Sequence, residues 1–165
     1  MKYVPIRPKR ILSLDPTTEG LAFAVLEDGP LQLIDWGIKN CGRKKASALD
    51  VTEKLLERFR PDVLVMEDYE AGSSRRQRRT QRLIQHLIAL AGRKNLRVRS
   101  ISRQEVRGTL RVKTKNEVAA TVARFFPELL PQLPRQREIY IGEDYRMAIF
   151  DAVALALTSL HFETK

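Results

Sequence analysis

The chain has 165 residues, 43% of them hydrophobic, which is enough to bury a core and argues against a disordered protein. Its one cysteine, Cys41, excludes an internal disulfide, no apolar run approaches the ~20 residues of a membrane helix, and the first ten residues do not resemble a signal peptide, so we expect a soluble, cytoplasmic protein. The net charge of +10 favours a polyanionic partner, most often nucleic acid.

Apolar runs in the first forty residues predict three strands, over 11–15, 21–28 and 31–38. Gly20 separates the first two strands, and a Gly29-Pro30 turn separates the second from the third. Short connections of this kind are typical of an antiparallel meander.

The apolar spacing and capping residues in the remainder of the chain predict helices and strands in alternation. The predicted elements are a helix over 46–60, a strand over 63–67, a helix over about 75–92, a strand over 96–101, a helix opened by the capping box Thr114-Lys115-Asn116-Glu117, and a closing helix over about 144–160. The basic stretch 107–117, which runs into the capping box, is expected to form a loop. Strands that are linked through helices run parallel, so we expect a single α/β domain, residues 1–165, with a mixed sheet.

Three carboxylates occupy unusual positions. Asp15 and Glu67 each end an apolar strand, and Asp151 lies inside MAIFDAVALAL, residues 147–157, a helix expected to be buried on nearly all sides. An acid buried there needs a partner, either a base from a neighbouring element or a metal ion. If strand 63–67 pairs parallel with strand 11–15, Asp15 and Glu67 emerge at the same edge of the sheet.

A metal ion would explain why three acids cluster, because they repel one another unless a cation lies between them. Oxygen ligands without His or Cys favour Mg²⁺ or Mn²⁺. Two such ions about 4 Å apart would activate a water and stabilise the leaving oxygen during phosphodiester hydrolysis. The basic charge of the chain then indicates a nucleic-acid substrate.

Positive charge is concentrated on one face of the helix predicted over 75–92. At about 100° per residue the face comprises Arg75, Arg78, Arg79, Arg82, His86 and Arg93, with Arg76 next to it. No acid at i+4 balances these charges, so we interpret the face as a phosphate-binding surface rather than an ordinary solvated one. In the loop 107–117, Lys113 and Lys115 lie just before a helix N-terminus and could contact the scissile phosphate; an ordinary exposed loop is the alternative.

The sequence resembles the RuvC-type Holliday junction resolvases of the ribonuclease-H-like superfamily. Three segments carry the resemblance: ILSLDPTTEGLAFAVLEDG, 11–29, is similar to their first hairpin, LVMEDYE, 64–70, to their second motif, and FDAVALAL, 150–157, to their closing helix. The resemblance implies a ribonuclease-H-like mixed five-stranded sheet, three antiparallel strands and then two parallel ones, with helices on both faces.

The resemblance also implies roles for individual residues. Asp15, Glu67 and Asp151 correspond to ligands of Mg²⁺ or Mn²⁺, with two ions expected, and Lys115 corresponds to an active-site lysine. Tyr69 is a candidate for the aromatic residue that stacks on a base, although it is displaced by one position and a packed loop tyrosine is the alternative.

The chain departs from the family pattern at the fourth metal ligand. That ligand lies one helical turn before the last aspartate, where this chain has Ala148. Asp144, two turns before Asp151, is our candidate replacement, and Glu143 lies beside it. The Asp-Pro-Gly of the family is Asp-Pro-Thr here, at 15–17.

The implied function is symmetrical cleavage of four-way DNA junctions, in recombination and repair, by a homodimer of bacterial or phage origin. No membrane association is expected, and a branch-migration helicase partner cannot be inferred from the sequence. Two alternatives remain: a ribonuclease-H-like nuclease acting on RNA or RNA–DNA hybrids, and a non-catalytic module that binds junctions or RNA. Ala148 supports the binding module, whereas the three retained acids count against it.

Overall fold

The computed structural model describes residues 7–18, 20–42, 44–70, 78–134 and 145–163. Its strands are β1 (Lys9–Pro16), β2 (Gly20–Asp28), β3 (Gln32–Asn40), β4 (Val63–Glu67) and β5 (Arg97–Ile101). They form one sheet in the order β3-β2-β1-β4-β5. The first three strands are antiparallel, and β4 runs parallel to both β1 and β5, which confirms the predicted mixed sheet.

Helices cover both faces of this sheet. They are α1 (Lys45–Phe59), α2 (Arg78–Arg93), α3 (Arg103–Leu110), α4 (Lys115–Phe125), a 3₁₀ helix (Pro127–Gln132) and α5 (Met147–Glu163). α1 and α2 pack on one face, and α3, α4 and α5 pack on the other. Among the described residues, the structure contains no helix with the length and apolar character that a membrane crossing requires.

Alternation along β1 and β4 decides which side chains meet which helices. Leu12 and Leu14 of β1 belong to the core beneath α1 and α2, whereas Ile11 belongs to the core beneath α5. Val63 and Val65 of β4 lie with Ile11 on the α5 face. Because successive side chains alternate between faces, Asp15 and Glu67 continue the series that faces α5.

The prediction of a loop over 107–117 is wrong in its first part, because α3 occupies residues 103–110. A capping box begins this helix: Glu105 N donates to Ser102 Oγ, and Ser102 N donates to Glu105 Oε2 at 2.6 Å. Arg111 ends it in the left-handed conformation, at φ 57°. Val106 is the one residue of α3 that is buried, which explains why apolar spacing did not reveal the helix.

Several predicted residues lie outside the described ranges. The closing helix begins at Met147 rather than near 144, and Asp144 and Glu143 fall outside the description. Arg75 and Arg76 also fall outside it, because α2 is described from Arg78.

Candidate active site

A small pocket at the carboxyl edge of β1 and β4 brings together Asp15, Glu67 and Asp151. Its volume is about 40 Å³, enough for a small ion or a few waters. Asp15 and Glu67 are 4% and 3% exposed, and the Asp151 side chain is 24% exposed. The lining residues are Asp15, Glu67, Arg103, Val106, Arg107, Lys115, Val118, Asp151, Ala154 and Leu155.

The strand register explains why Asp15 and Glu67 reach the same pocket. Ser13 of β1 is paired with Val65 of β4, and the two acids follow two residues later on their strands, on the same face. Ser13 Oγ also donates a hydrogen bond to the carbonyl oxygen of Ala152, at 2.5 Å. This bond joins β1 to α5 at the residue next to Asp151.

Asp151 is partly exposed, whereas every other residue from Met147 to Leu157 is buried. Lys115 Nζ lies 3.5 Å from Asp151 Oδ2. Lys115 is the first residue of α4, and the side chain of Thr114 caps this helix by accepting a hydrogen bond from Glu117 N at 3.2 Å. The capping box predicted from the sequence therefore positions the lysine beside Asp151.

Glu67 forms an ion pair that the sequence reasoning missed, with Arg103 Nε 2.8 Å from Glu67 Oε1. Glu67 is paired with Ile101 in the parallel ladder of β4 and β5, and α3 begins two residues after Ile101. The capping sequence Ser102-Arg103-Gln104-Glu105 was the available signal, because it would have placed Arg103 in the first turn of a helix directly after a strand.

The described residues that line the pocket include three acidic and three basic side chains, so their formal charges cancel. Arg107, the third base, lies one turn after Arg103 on α3. Within the described ranges, no three Asp, Glu, His or Cys side chains lie close enough together to hold a metal ion jointly. The three carboxylates have the chemistry that a hard cation prefers, and two of the bases, Arg103 and Lys115, form ion pairs with Glu67 and Asp151.

A second and larger groove, of about 760 Å³, runs between the face of α2 and the N-terminal end of α1. It is strongly basic, with Lys44 and Lys45 opposite Arg78, Arg79 and Arg82. The remaining lining residues are Thr17, Thr18, Gly20, Cys41, Gly42, Ala48, Thr80, Leu83 and His86. Three of the predicted nucleic-acid-binding arginines thus share one concave surface, next to the strand that carries Asp15.

His86 joins the two walls of this groove. Its Nδ1 lies 2.6 Å from the carbonyl oxygen of Arg82, and its Nε2 lies 3.2 Å from Lys45 Nζ. Since a carbonyl can only accept and an ammonium can only donate, these partners assign the proton to Nδ1 and leave Nε2 as the acceptor. The formal positive charge of the groove is supplied by its lysines and arginines.

Two further predicted residues lie away from the carboxylate pocket. Tyr69 is half-buried against the core beneath α1 and α2, and its hydroxyl accepts a hydrogen bond from Gln85 Nε2 at 3.0 Å. Lys113 is exposed and lines neither the pocket nor the groove. Base stacking by Tyr69 and phosphate contact by Lys113 remain predictions.

Solved structures similar to this chain include two of a RuvC protein and one of a mitochondrial Holliday junction resolvase. The RuvC protein of Thermus thermophilus in complex with a Holliday junction substrate superposes with a TM-score of 0.69 at 18% identity, over 94% of this chain and 95% of that one. A second structure of Thermus thermophilus RuvC gives a TM-score of 0.67 at 17% identity, over 94% and 95% of the two chains. The yeast mitochondrial resolvase Ydc2 gives 0.59 at 16% identity, over 97% of this chain and 83% of that one.

No protein-family model matches the sequence, and the search of curated proteins gives no match either. The likeness therefore resides in the arrangement of strands and helices over nearly the whole chain. It confirms the fold that the motifs around Asp15, Glu67 and Asp151 predicted: this chain has the ribonuclease-H-like fold of the RuvC-type resolvases.

Proposed function

We propose that this protein is a metal-dependent, structure-selective DNA endonuclease that resolves four-way junctions by phosphodiester hydrolysis. One observation carries the proposal: Asp15, Glu67 and Asp151, from β1, β4 and α5, line a single pocket. They are far apart in the sequence and meet at the carboxyl edge of parallel strands, where ligands bind in open α/β sheets. The fold match with a RuvC protein solved on a Holliday junction supports the choice of substrate.

Four residues of the pocket have a defined task in this proposal. Asp15, Glu67 and Asp151 would hold Mg²⁺ or Mn²⁺, two ions in all, with Asp144 as the candidate fourth ligand. Ions held by these carboxylates would supply Lewis-acid activation of water and stabilisation of the leaving oxygen. Lys115 neutralises charge on the phosphate from its fixed place at the start of α4, next to a helix N-terminus that itself attracts anions.

The basic groove supports binding of a DNA arm. Lys44, Lys45, Arg78, Arg79 and Arg82 make a concave cationic surface, and such surfaces follow a phosphate backbone without reading its sequence. The groove begins beside Thr17 and Thr18, directly after the strand that ends near Asp15. A homodimer, as the two-fold symmetry of a junction requires, would present two such pockets and grooves.

The test is cleavage of a labelled four-way DNA junction with Mg²⁺ or Mn²⁺, beside linear duplex and RNA–DNA hybrid of the same sequence. We expect paired symmetrical nicks in the junction alone, and a loss of at least about 10³-fold in rate for Asp151→Asn with junction binding retained. Asp50→Asn is the matched control, because Asp50 is an exposed residue of α1 paired with Lys54 at 2.9 Å. Cutting of the hybrid alone would assign the protein to the ribonuclease alternative.

A non-catalytic junction-binding module is the second candidate. The cancelling charges of the pocket and Ala148 at the expected ligand position favour it. Tight junction binding without cleavage under either metal would establish this function.

A further inference from the structure

The ion pair between Arg103 and Glu67 has an unusual setting. Glu67 is almost fully enclosed, with 4% of its side chain exposed, whereas the Arg103 side chain is 33% exposed. The guanidinium therefore reaches into the pocket from its mouth. Removing one partner of such a pair leaves a charge in a poorly hydrated site, which is strongly unfavourable.

Arg103 also stands at an unfavourable end of its helix. It is the first residue of α3, where the aligned peptide dipoles place a partial positive charge that disfavours cations. An acid is favoured in the first turn of a helix, and here that acid is Glu105. Its carboxylate accepts a hydrogen bond from Ser102 N as part of the capping box. The capping box thus accounts for the start of the helix without Arg103, whose side chain contacts Glu67 instead.

We propose that Arg103 and the divalent ion compete for Glu67, so that the guanidinium is the counter-ion of this carboxylate until a metal ion displaces it. This proposal rests on the function proposed above, because it assigns a regulatory residue to the same metal site. The metal supplies the positive charge that Glu67 requires, and the long side chain of Arg103 can turn towards the pocket mouth. Binding of the metal requires the ion pair between Arg103 and Glu67 to break. The free energy of metal binding is therefore less favourable by the free energy of that ion pair.

Lys115 does not serve as an equivalent competitor. Its Nζ lies 3.5 Å from Asp151, compared with 2.8 Å for Arg103 and Glu67, and Asp151 is 24% exposed and better hydrated. A more distant and more solvated pair is weaker, so less free energy opposes metal binding at Asp151.

Calorimetric titration of Mn²⁺ into the full chain without nucleic acid tests this exchange. Arg103→Gln removes the charge but keeps a polar side chain of similar reach, and we expect Mn²⁺ to bind roughly tenfold more tightly. Arg107→Gln is the matched control, since Arg107 lines the same pocket one turn later on α3 and its replacement removes the same charge. This control should change the affinity much less.

Three outcomes would overturn the proposal: unchanged affinity in Arg103→Gln, an equal gain in both variants, which would indicate a general charge effect, or no Mn²⁺ binding by any of the proteins. The titration measures metal binding without a DNA junction. A positive result would therefore remain valid even if the protein did not cleave junctions. The two ideas can therefore fail separately.

A measurement on the unmodified protein covers the case in which Arg103→Gln does not fold. The arginine Nε–H signals in ¹⁵N NMR report on hydrogen bonding of the guanidinium, and the Arg103 signal should move when Mg²⁺ is added. Arg10 is the internal control, because its Nε donates to Glu27 at 2.8 Å in an ion pair outside the pocket. An Arg103 signal as insensitive to Mg²⁺ as that of Arg10 would contradict the exchange.

Discussion

Lys115 Nζ lies 3.5 Å from Asp151 Oδ2, whereas Lys113, two residues earlier in the chain, is exposed and outside the pocket. Both lysines were possible phosphate contacts from the sequence, because both precede a helix N-terminus. The structure separates them by their positions: Lys115 begins α4, and Lys113 contributes its backbone N–H to Glu117 at 2.7 Å.

Replacement of these two lysines should therefore have unequal effects. We expect Lys115→Ala to reduce junction cleavage by about 100-fold or more, since a charge positioned in the pocket stabilises the reacting phosphate. Lys113→Ala should reduce it by less than about threefold, as expected for an exposed charge. Single-turnover cleavage with saturating metal measures both, and equal decreases would show that Lys115 has no special role.

Salt dependence tests the basic groove. Arg79 and Arg82 line it, whereas Arg93 at the far end of α2 does not. Arg79→Ala combined with Arg82→Ala should weaken junction binding and lower the slope of log K against log salt concentration by about 1 for each phosphate that the protein no longer neutralises. Arg93→Ala should leave the slope unchanged. Junction binding should be measured by fluorescence anisotropy in Ca²⁺ at several salt concentrations. The comparison would show whether junction binding depends on the groove or only on the total charge of the protein.

Two glycines should respond in opposite ways to alanine. A Cβ at Gly20 would lie 2.4 Å from the carbonyl oxygen of Lys39 on the neighbouring strand, whereas a Cβ at Gly92 would meet no atom within 4 Å. Gly20→Ala should lower the free energy of unfolding by roughly 2 kcal/mol through overpacking. Gly92→Ala, in the last turn of α2, should raise it by about 0.5–1 kcal/mol. Urea denaturation of both variants gives the two signs.

The thiol of Cys41 should react slowly in the folded protein. Burial raises the pKa of Cys41 above its ordinary value of 9.0, so the thiolate that attacks disulfide reagents is scarce at neutral pH. Since it is the one cysteine in the sequence, a colour-forming disulfide reagent reports on this site alone. The rate should rise strongly when the chain is unfolded in urea; equal rates would contradict the buried position.

The same shift has a consequence for stability at alkaline pH. The folded state holds the Cys41 proton more tightly than the unfolded chain, so the contribution of the protonated thiol is complete below pH 9.0. It declines as the pH rises through that value and the unfolded chain loses its proton. The difference in unfolding free energy between the wild type and Cys41→Ala should therefore shrink from about pH 8 to about pH 10.

Most of the sheet could be predicted because its strands are apolar and its turns are marked by glycine and proline. The three carboxylates could be placed for the same reason, since two of them end such strands and the third interrupts an apolar helix. Val63, Val65 and Ile11 are fully buried, as a strand covered on both faces requires. Local pattern and long-range packing agree in these elements.

Arg103 could not be predicted, because its partner is determined by pairing between distant segments. Only the register of Glu67 with Ile101 shows that residue 103 reaches the carboxylate. The helix that carries it has one buried residue, Val106, so hydrophobic spacing gave no sign of it. The capping residues Ser102 and Glu105 were the remaining local signal.

The alternation of side chains in β1 disfavours a shifted register between β1 and β4. If β1 were shifted by one residue against β4, the Asp15 side chain would point into the apolar layer beneath α1 and α2. The Leu14 side chain would point towards the acidic edge instead. Such a slip would cost the core several buried leucines and valines at the same time as it dismantled the carboxylate pocket. A molecule with a misassembled pocket is therefore also an unstable one.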